Sequence, residues 1–123
     1  MSADEALRAI EIFFEGFNAE NDALMHEAIN FPHVRIASGT VRVFEGPQNF
    51  NTPFETLKRI EGWPHSTLDR ADVIHEGPDK VHFDVCFSRF QEGGSRYATH
   101  QAIWVVTRLG GHWGIQARSS FAP

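Results

Sequence analysis

Residues Arg96 to Phe121 read RYATHQAIWVVTR, then LGGH, then WGIQARSSF. Two long strands joined by a tight turn account for this pattern. Gly110-Gly111 supplies the positive φ angles that a short hairpin needs. Ile103-Trp104-Val105-Val106 has the β-branched and aromatic content that suits a pleated, half-buried surface. Working back toward the N-terminus, Lys80–Phe90 alternates cleanly: Val81, Phe83, Val85 and Phe87 share one face, and His82, Asp84, Cys86 and Ser88 share the other. Ser66–Glu76 is a further strand. The breaks at Gly77-Pro78-Asp79, Gln91–Gly94 and Leu109–Gly111 are short, so consecutive strands pair antiparallel.

The first half of the chain is helical before it is extended. Ser2 and Glu5 form a capping pattern ahead of Ala6, Leu7, Ile10, Phe13, Phe14 and Phe17, which repeat at the spacing of one helical face. A short second helix is predicted from about Asp22 to Ala28, with Asn21 as its cap. Val34–Ala37 and Thr40–Phe44 read as two short strands around Ser38-Gly39. Thr52-Pro53-Phe54-Glu55 predicts a third helix, capped by Thr52 and running to about Ile60. The order ααββαββββ defines an α+β domain, and 123 residues are one domain's length, spanning 1–123.

Composition narrows the function. The formal charge is −5 without a Lys/Arg cluster, which argues against nucleic acid and anionic membranes as partners. Eleven Phe and three Trp against one Tyr supply large apolar rings to fill a core or line a cavity. The single cysteine, Cys86, excludes an intrachain disulfide and reads as a small buried residue. No secretory leader pattern and no membrane-length apolar run occur, so a cytoplasmic protein is expected. No paired-Cys or H-x-x-x-H spacing occurs; neither a metal nor a cofactor is expected.

The closing run His112–Ser120 resembles the last strand of the nuclear transport factor 2-like superfamily, whose members include SnoaL-type cyclases, ketosteroid isomerase and the calcium/calmodulin-dependent kinase association domain. The element order matches that superfamily along nearly the whole chain. The resemblance implies a bent sheet wrapped around the first helix as a cone, with a pocket at the open end, and a homodimer. It does not imply one reaction, because the fold hosts enzymes, binding modules and assembly domains. It also implies which residues face the cone. Trp104 falls where ketosteroid isomerase carries its buried acid, Ile36 falls near the position of its general base, and Phe13, Phe14 and Phe17 stand where a helix tyrosine would be. None of the three roles can be filled, so steroid-type proton transfer is not expected.

The same match puts Gln116, Arg118 and Ser120 on the cavity side of the last strand, with His100 and Ala102 beside Trp104. Arg118 is the leading candidate, as an anion clamp for a ligand carboxylate. The structural alternative is an internal pair with an acid such as Asp84, or an edge position in solvent. His100 is the candidate acid/base, or a packing residue. Phe13, Phe17, Ile36 and Trp104 would be apolar ligand contacts. His33 and Arg35 are secondary candidates, directed by the match to the convex face, a direction that a one-residue register error would reverse. His82 and Asp84 form a polar face or subunit contact. Two functions remain open: a pocket protein for a small apolar ligand with an anionic group, acting as a lyase, isomerase or hydrolase if catalytic, or a non-catalytic dimerisation or ligand-sensing module with a filled cone.

Overall fold

A computed structural model describes residues 2–122. Helix α1 (Ser2–Asn18) lays Ala6, Ala9, Ile10, Phe13 and Phe14 into the core, the stripe its periodicity predicts. Its first turn is held from outside: the backbone N–H of Ala3 donates to the Glu76 carboxylate, 3.0 Å away. Helix α2 (Asp22–Glu27) starts at Asn21, whose side-chain oxygen accepts from the Leu24 N–H at 3.1 Å. Helix α3 is shorter than its sequence suggests. Only Phe54–Thr56 is α-helical, and Leu57–Glu61 continues as a wider π-type turn that ends at Gly62 in a left-handed conformation. The expected Thr52 cap does not form. The Thr52 hydroxyl meets the Met25 sulfur at 3.7 Å instead.

Six strands make one curved sheet: β1 (Ile29–Ala37), β2 (Thr40–Phe44), β3 (His65–Glu76), β4 (Lys80–Phe90), β5 (Arg96–Leu109) and β6 (His112–Ser120). Their spatial order is β2-β1-β6-β5-β4-β3. The four last strands form the antiparallel meander expected from the short turns, and Gly110 and Gly111 adopt positive φ in the final hairpin. The sheet is nevertheless mixed, because β1 runs parallel to β6. The chain thus forms the α+β cone with element order ααββαββββ. Phe83, Val85, Trp104, Val106 and Ile115 on the concave face pack against α1, and all are nearly inaccessible to solvent. Among the described residues no helix is long and apolar enough to cross a membrane.

The β1–β6 contact has specific chemistry. A Cβ on Gly114 would sit 2.7 Å from the backbone of Ile29 and Asn30, so only glycine lets the strands approach. Asn30, buried beside it, donates to the Thr107 carbonyl (2.9 Å), the Thr107 hydroxyl (3.0 Å) and the His112 carbonyl (3.1 Å). Its side-chain oxygen accepts from His112 Nδ1 at 2.6 Å. One side chain therefore ties β1 to both arms of the last hairpin.

Both strands pay for this contact in regularity. The register of β1 against β6 shifts between Ile29 and Val34, and that of β5 against β6 shifts between Val105 and Val106. Ile115 and Arg118 both face inward although three positions separate them, an outcome a regular strand forbids. Gln116 is displaced from the cavity phase. It accepts from the Thr107 hydroxyl at 2.8 Å and donates to the Asn30 and Pro32 carbonyls. Gly114→Ala is expected to lower stability by about 1–3 kcal/mol, since the obstructing atoms are mainly backbone. Gly77→Ala, which meets nothing nearer than 3.5 Å, should change it little. Urea unfolding of both variants checks this, and equal effects would contradict the close-approach argument.

Candidate functional site

The concave face opens, beside α1, into a cavity of about 330 Å³, at the small end of ligand pockets (~300–1,000 Å³). Phe13 and Phe17 of α1, Met25 of α2, Phe44 of β2, and Phe50 and Leu57 from the crossing segment form its apolar wall. Asn51, Thr52 and Pro53 lie along one rim. The remaining lining residues are four arginines: Arg35, Arg42, Arg89 and Arg118.

Three of these arginines form a row. Arg35 is the direct cross-strand neighbour of Arg42 on β2 and of Arg118 on β6. Like charges facing each other across strands are destabilising, and no Asp or Glu is among the described residues that line the cavity. The electrostatics carry the mark of this crowding. Burial, then Arg35 and Arg89, push the Arg118 pKa down to about 9. Burial, then Arg89 and Arg42, lower that of Arg35. Such a shift measures how much the site resists holding its own positive charge, and an anion in the cavity would relieve that resistance.

Arg118 is held firmly. Its guanidinium lies over Phe13, Phe50 and Trp104, 5.1, 5.6 and 5.7 Å from the ring centres. Its Nε–H donates to Nε2 of His33 at 2.9 Å. His33 is wholly buried, and its Nδ1 donates in turn to the Ile115 carbonyl at 2.9 Å. Arg35 reaches the Ala122 carbonyl at 3.2 Å, and Arg42 sits 4.7 Å above the Phe44 ring.

The structure brings Phe13, Phe17 and Arg118 together at the cavity, with Trp104 as the floor beneath the guanidinium. It separates the other candidates. Ile36 points outward and is 47% exposed, while His33 and Arg35 face inward. The β1 phase is thus one residue from the one the resemblance implied: Ile29, His33, Arg35 and Ala37 share the inward face by simple alternation. Gln116 is removed by the bulge described above. Ser120 shares the Arg118 face but accepts the Ala122 N–H at 3.0 Å rather than lining the cavity. His100 is not among the lining residues; it packs on Phe87, 5.4 Å between ring centres. The alternative Arg118–Asp84 pair does not form, since Asp84 accepts from Arg70 at 2.9 Å on the convex face. His82 faces His75 there, Nδ1 to Nδ1 at 3.2 Å. Cys86 is half-buried on the same face rather than enclosed. Among the described residues no cluster of three or more His, Cys, Asp or Glu side chains could hold a metal ion.

Arg42 and Arg89 were not singled out by the sequence argument, although the signal for Arg89 was present. Extending the apolar alternation Val81, Phe83, Val85, Phe87 by one step lands on it.

No protein family and no curated relative matches the chain by sequence. Solved structures do match by shape. An NTF-2 like protein of unknown function from Shewanella oneidensis superposes with a TM-score of 0.78 at 11% identity, over 99% of this chain and 100% of its own. A candidate calcium/calmodulin dependent protein kinase II association domain from Xanthomonas campestris gives 0.67 at 14% identity, over 93% of this chain and 82% of its own. A candidate ketosteroid isomerase from Shewanella frigidimarina gives 0.66 at 11% identity, with 94% of each chain covered. The likeness in shape extends over nearly the whole chain in each case: this chain has the nuclear transport factor 2-like fold.

Proposed function

We propose that the cone is a binding site for a small molecule with an apolar, ring-sized body and an anionic head, and that Arg118 is its anion contact. The observation that carries this reading is the row Arg42-Arg35-Arg118, three like charges on neighbouring strands at an aromatic cavity. Like charges side by side on neighbouring strands repel, and an anionic ligand would offset that repulsion. The wall divides accordingly, with Phe13, Phe17, Phe44, Phe50 and Leu57 for the body and guanidinium groups for the head. Binding is favoured over proton transfer because the polar lining consists of arginines, Asn51 and Thr52, and His100 lies elsewhere. The lyase, isomerase and hydrolase readings rest on His100, which is not among the residues that line the cavity.

Benzoate and benzamide test this by calorimetric titration, since they share a body and differ in charge. Benzoate should bind more tightly by roughly tenfold or more, because a charge-assisted hydrogen bond is worth about 1.5–3 kcal/mol. Arg118→Gln should remove that preference, while Arg70→Gln on the opposite face should not. Equal binding of the two compounds, or none of either, would refute the reading. The pH dependence has a definite sign. Arg118 is protonated at neutral pH and releases its proton near pH 9. Benzoate affinity should therefore be level around neutrality and fall as pH rises through about 9, and a level profile past that point would count against Arg118 as the contact.

A second reading concerns the convex face, and its proposed occupant is another copy of this chain. Val41, Ile36 and Ile103, exposed by 65, 47 and 51%, lie in one row with Ser119 across β2-β1-β6-β5. Val43, also half exposed, and Val34 extend the patch in the next row. Contiguous apolar surface of this kind marks interaction sites. The charges bordering it on β3 and β4 largely offset one another, Arg70 being paired with Asp72 and Asp84, which leaves that group one negative charge. Two such faces can meet about a twofold axis with the charged groups at the rim of the apolar row. Light scattering should give the mass of two chains, and Ile36→Glu with Ile103→Glu should give one. A wild-type monomer at micromolar concentration would refute the pairing.

A further inference from the structure

His33 touches the anion site without facing it. Its ring is completely buried on β1, with Phe44 and Phe50 at 5.9 and 5.8 Å between ring centres. Its hydrogen bonds determine its chemical form. The Ile115 carbonyl, 2.9 Å from Nδ1, can only accept, so Nδ1 carries the proton. Nε2 is then a lone-pair acceptor, and it receives the Nε–H of Arg118 at 2.9 Å. An imidazolium would direct a second N–H at a guanidinium N–H, so the contact is consistent with the neutral ring alone. Burial and the Arg118 charge act in the same direction, pushing the His33 pKa down to about 3.

This bond limits what Arg118 can offer. Guanidinium carries its N–H groups in one plane, as a fixed fork. With Nε–H taken by His33, the two terminal amino groups are what remains for a ligand, and no described carboxylate is bonded to them. The three aromatic rings around the guanidinium restrain its plane. Two parallel N–H donors in a restrained plane match a carboxylate.

We propose that His33 is the positioning residue of the anion site, holding Arg118 through Nε so that the terminal amino groups meet the ligand, and doing so without contributing charge. The proposal rests on the reading of the cavity as an anion site. A carboxylate at position 33 would hold Arg118 as firmly but would cancel the charge that the ligand is to meet. A protonated histidine would repel Arg118. The neutral, buried imidazole avoids both.

Two measurements on the full chain test this. The first needs no ligand: nitrogen NMR of the His33 ring and of the Arg118 Nε–H. The expected result is a neutral Nδ1–H ring that does not titrate between about pH 8 and pH 5, and a slowly exchanging Nε–H. His33→Gln, whose amide can both accept and donate, should keep the slow signal, and His33→Leu should lose it. The second is calorimetry with benzoate and benzamide. His33→Leu should weaken benzoate by roughly tenfold and leave benzamide unchanged, whereas His33→Gln should stay within about threefold of wild type. An Nε2–H ring, a ring that titrates in that range, or a folded His33→Leu that binds benzoate as wild type does would overturn the proposal. A parallel loss of benzamide would overturn it too, as the mark of general disruption. Wild type that ignores benzoate while NMR still reports the bond would remove the anion site itself, and with it this role, leaving His33–Arg118 as a structural pair.

Discussion

The parallel contact between β1 and β6 is the constraint on which the rest of the cone depends. Gly114 permits the approach, Asn30 fastens it, and the accommodation appears as irregular register in both strands. The irregularity has a chemical consequence. On β6 it brings Arg118 inward, into the row of Arg35. A β6 continued regularly from the inward-facing Ile115 would have presented Ala117 in its place, giving an apolar wall there. The Arg118 charge enters the cone through a backbone defect, which fits the general placement of bulges beside functional sites.

The energetics of that charge are what the proposed ligand would answer. A buried arginine is normally stabilised by an acid, and here the described hydrogen-bond partner of Arg118 is a neutral imidazole. Aromatic faces compensate part of the cost: a contact of this type contributes about 0.5–2 kcal/mol, and three rings surround the guanidinium. They do not quench the field. The lowered pKa of Arg118 and the mutual repulsion with Arg35 and Arg89 express what is left over. A site whose described lining holds no Asp or Glu, with Arg118 held by a neutral partner, is organised for an anion before the anion arrives, which reduces the cost of ordering on binding.

Much of this architecture was legible in the sequence because it rests on local rules. The alternation in Lys80–Phe90, the Gly110-Gly111 turn and the helical stripe of α1 each specify an element without reference to distant residues. The fold followed from their order. The site was legible in part: Arg118, Phe13 and Phe17 meet at the cavity. The phase of β1 was taken from the resemblance and fell one residue off, although Ile29, His33, Arg35 and Ala37 alternate regularly on the inward face. Period-two reasoning along β6 failed at Gln116 because the register against β5 shifts there, a feature set by pairing and not by local pattern. His100 was placed on the right face, but distance along β5 put it against Phe87 and outside the cavity lining. Arg89 was accessible to the same alternation that identified Phe87, and Arg42 stands two residues before Phe44 on the same strand face; neither required long-range knowledge.

The central claim is that this cone orients an anion on Arg118 with an apolar body against the phenylalanines. A crystal structure with 4-bromobenzoate addresses it most directly, because anomalous scattering locates the bromine independently of the carboxylate. The account predicts the carboxylate within hydrogen-bonding distance of the Arg118 terminal amino groups and the bromine toward Phe17 and Leu57. A compound bound the other way round, or bound outside the cone while the cavity holds water, would contradict it.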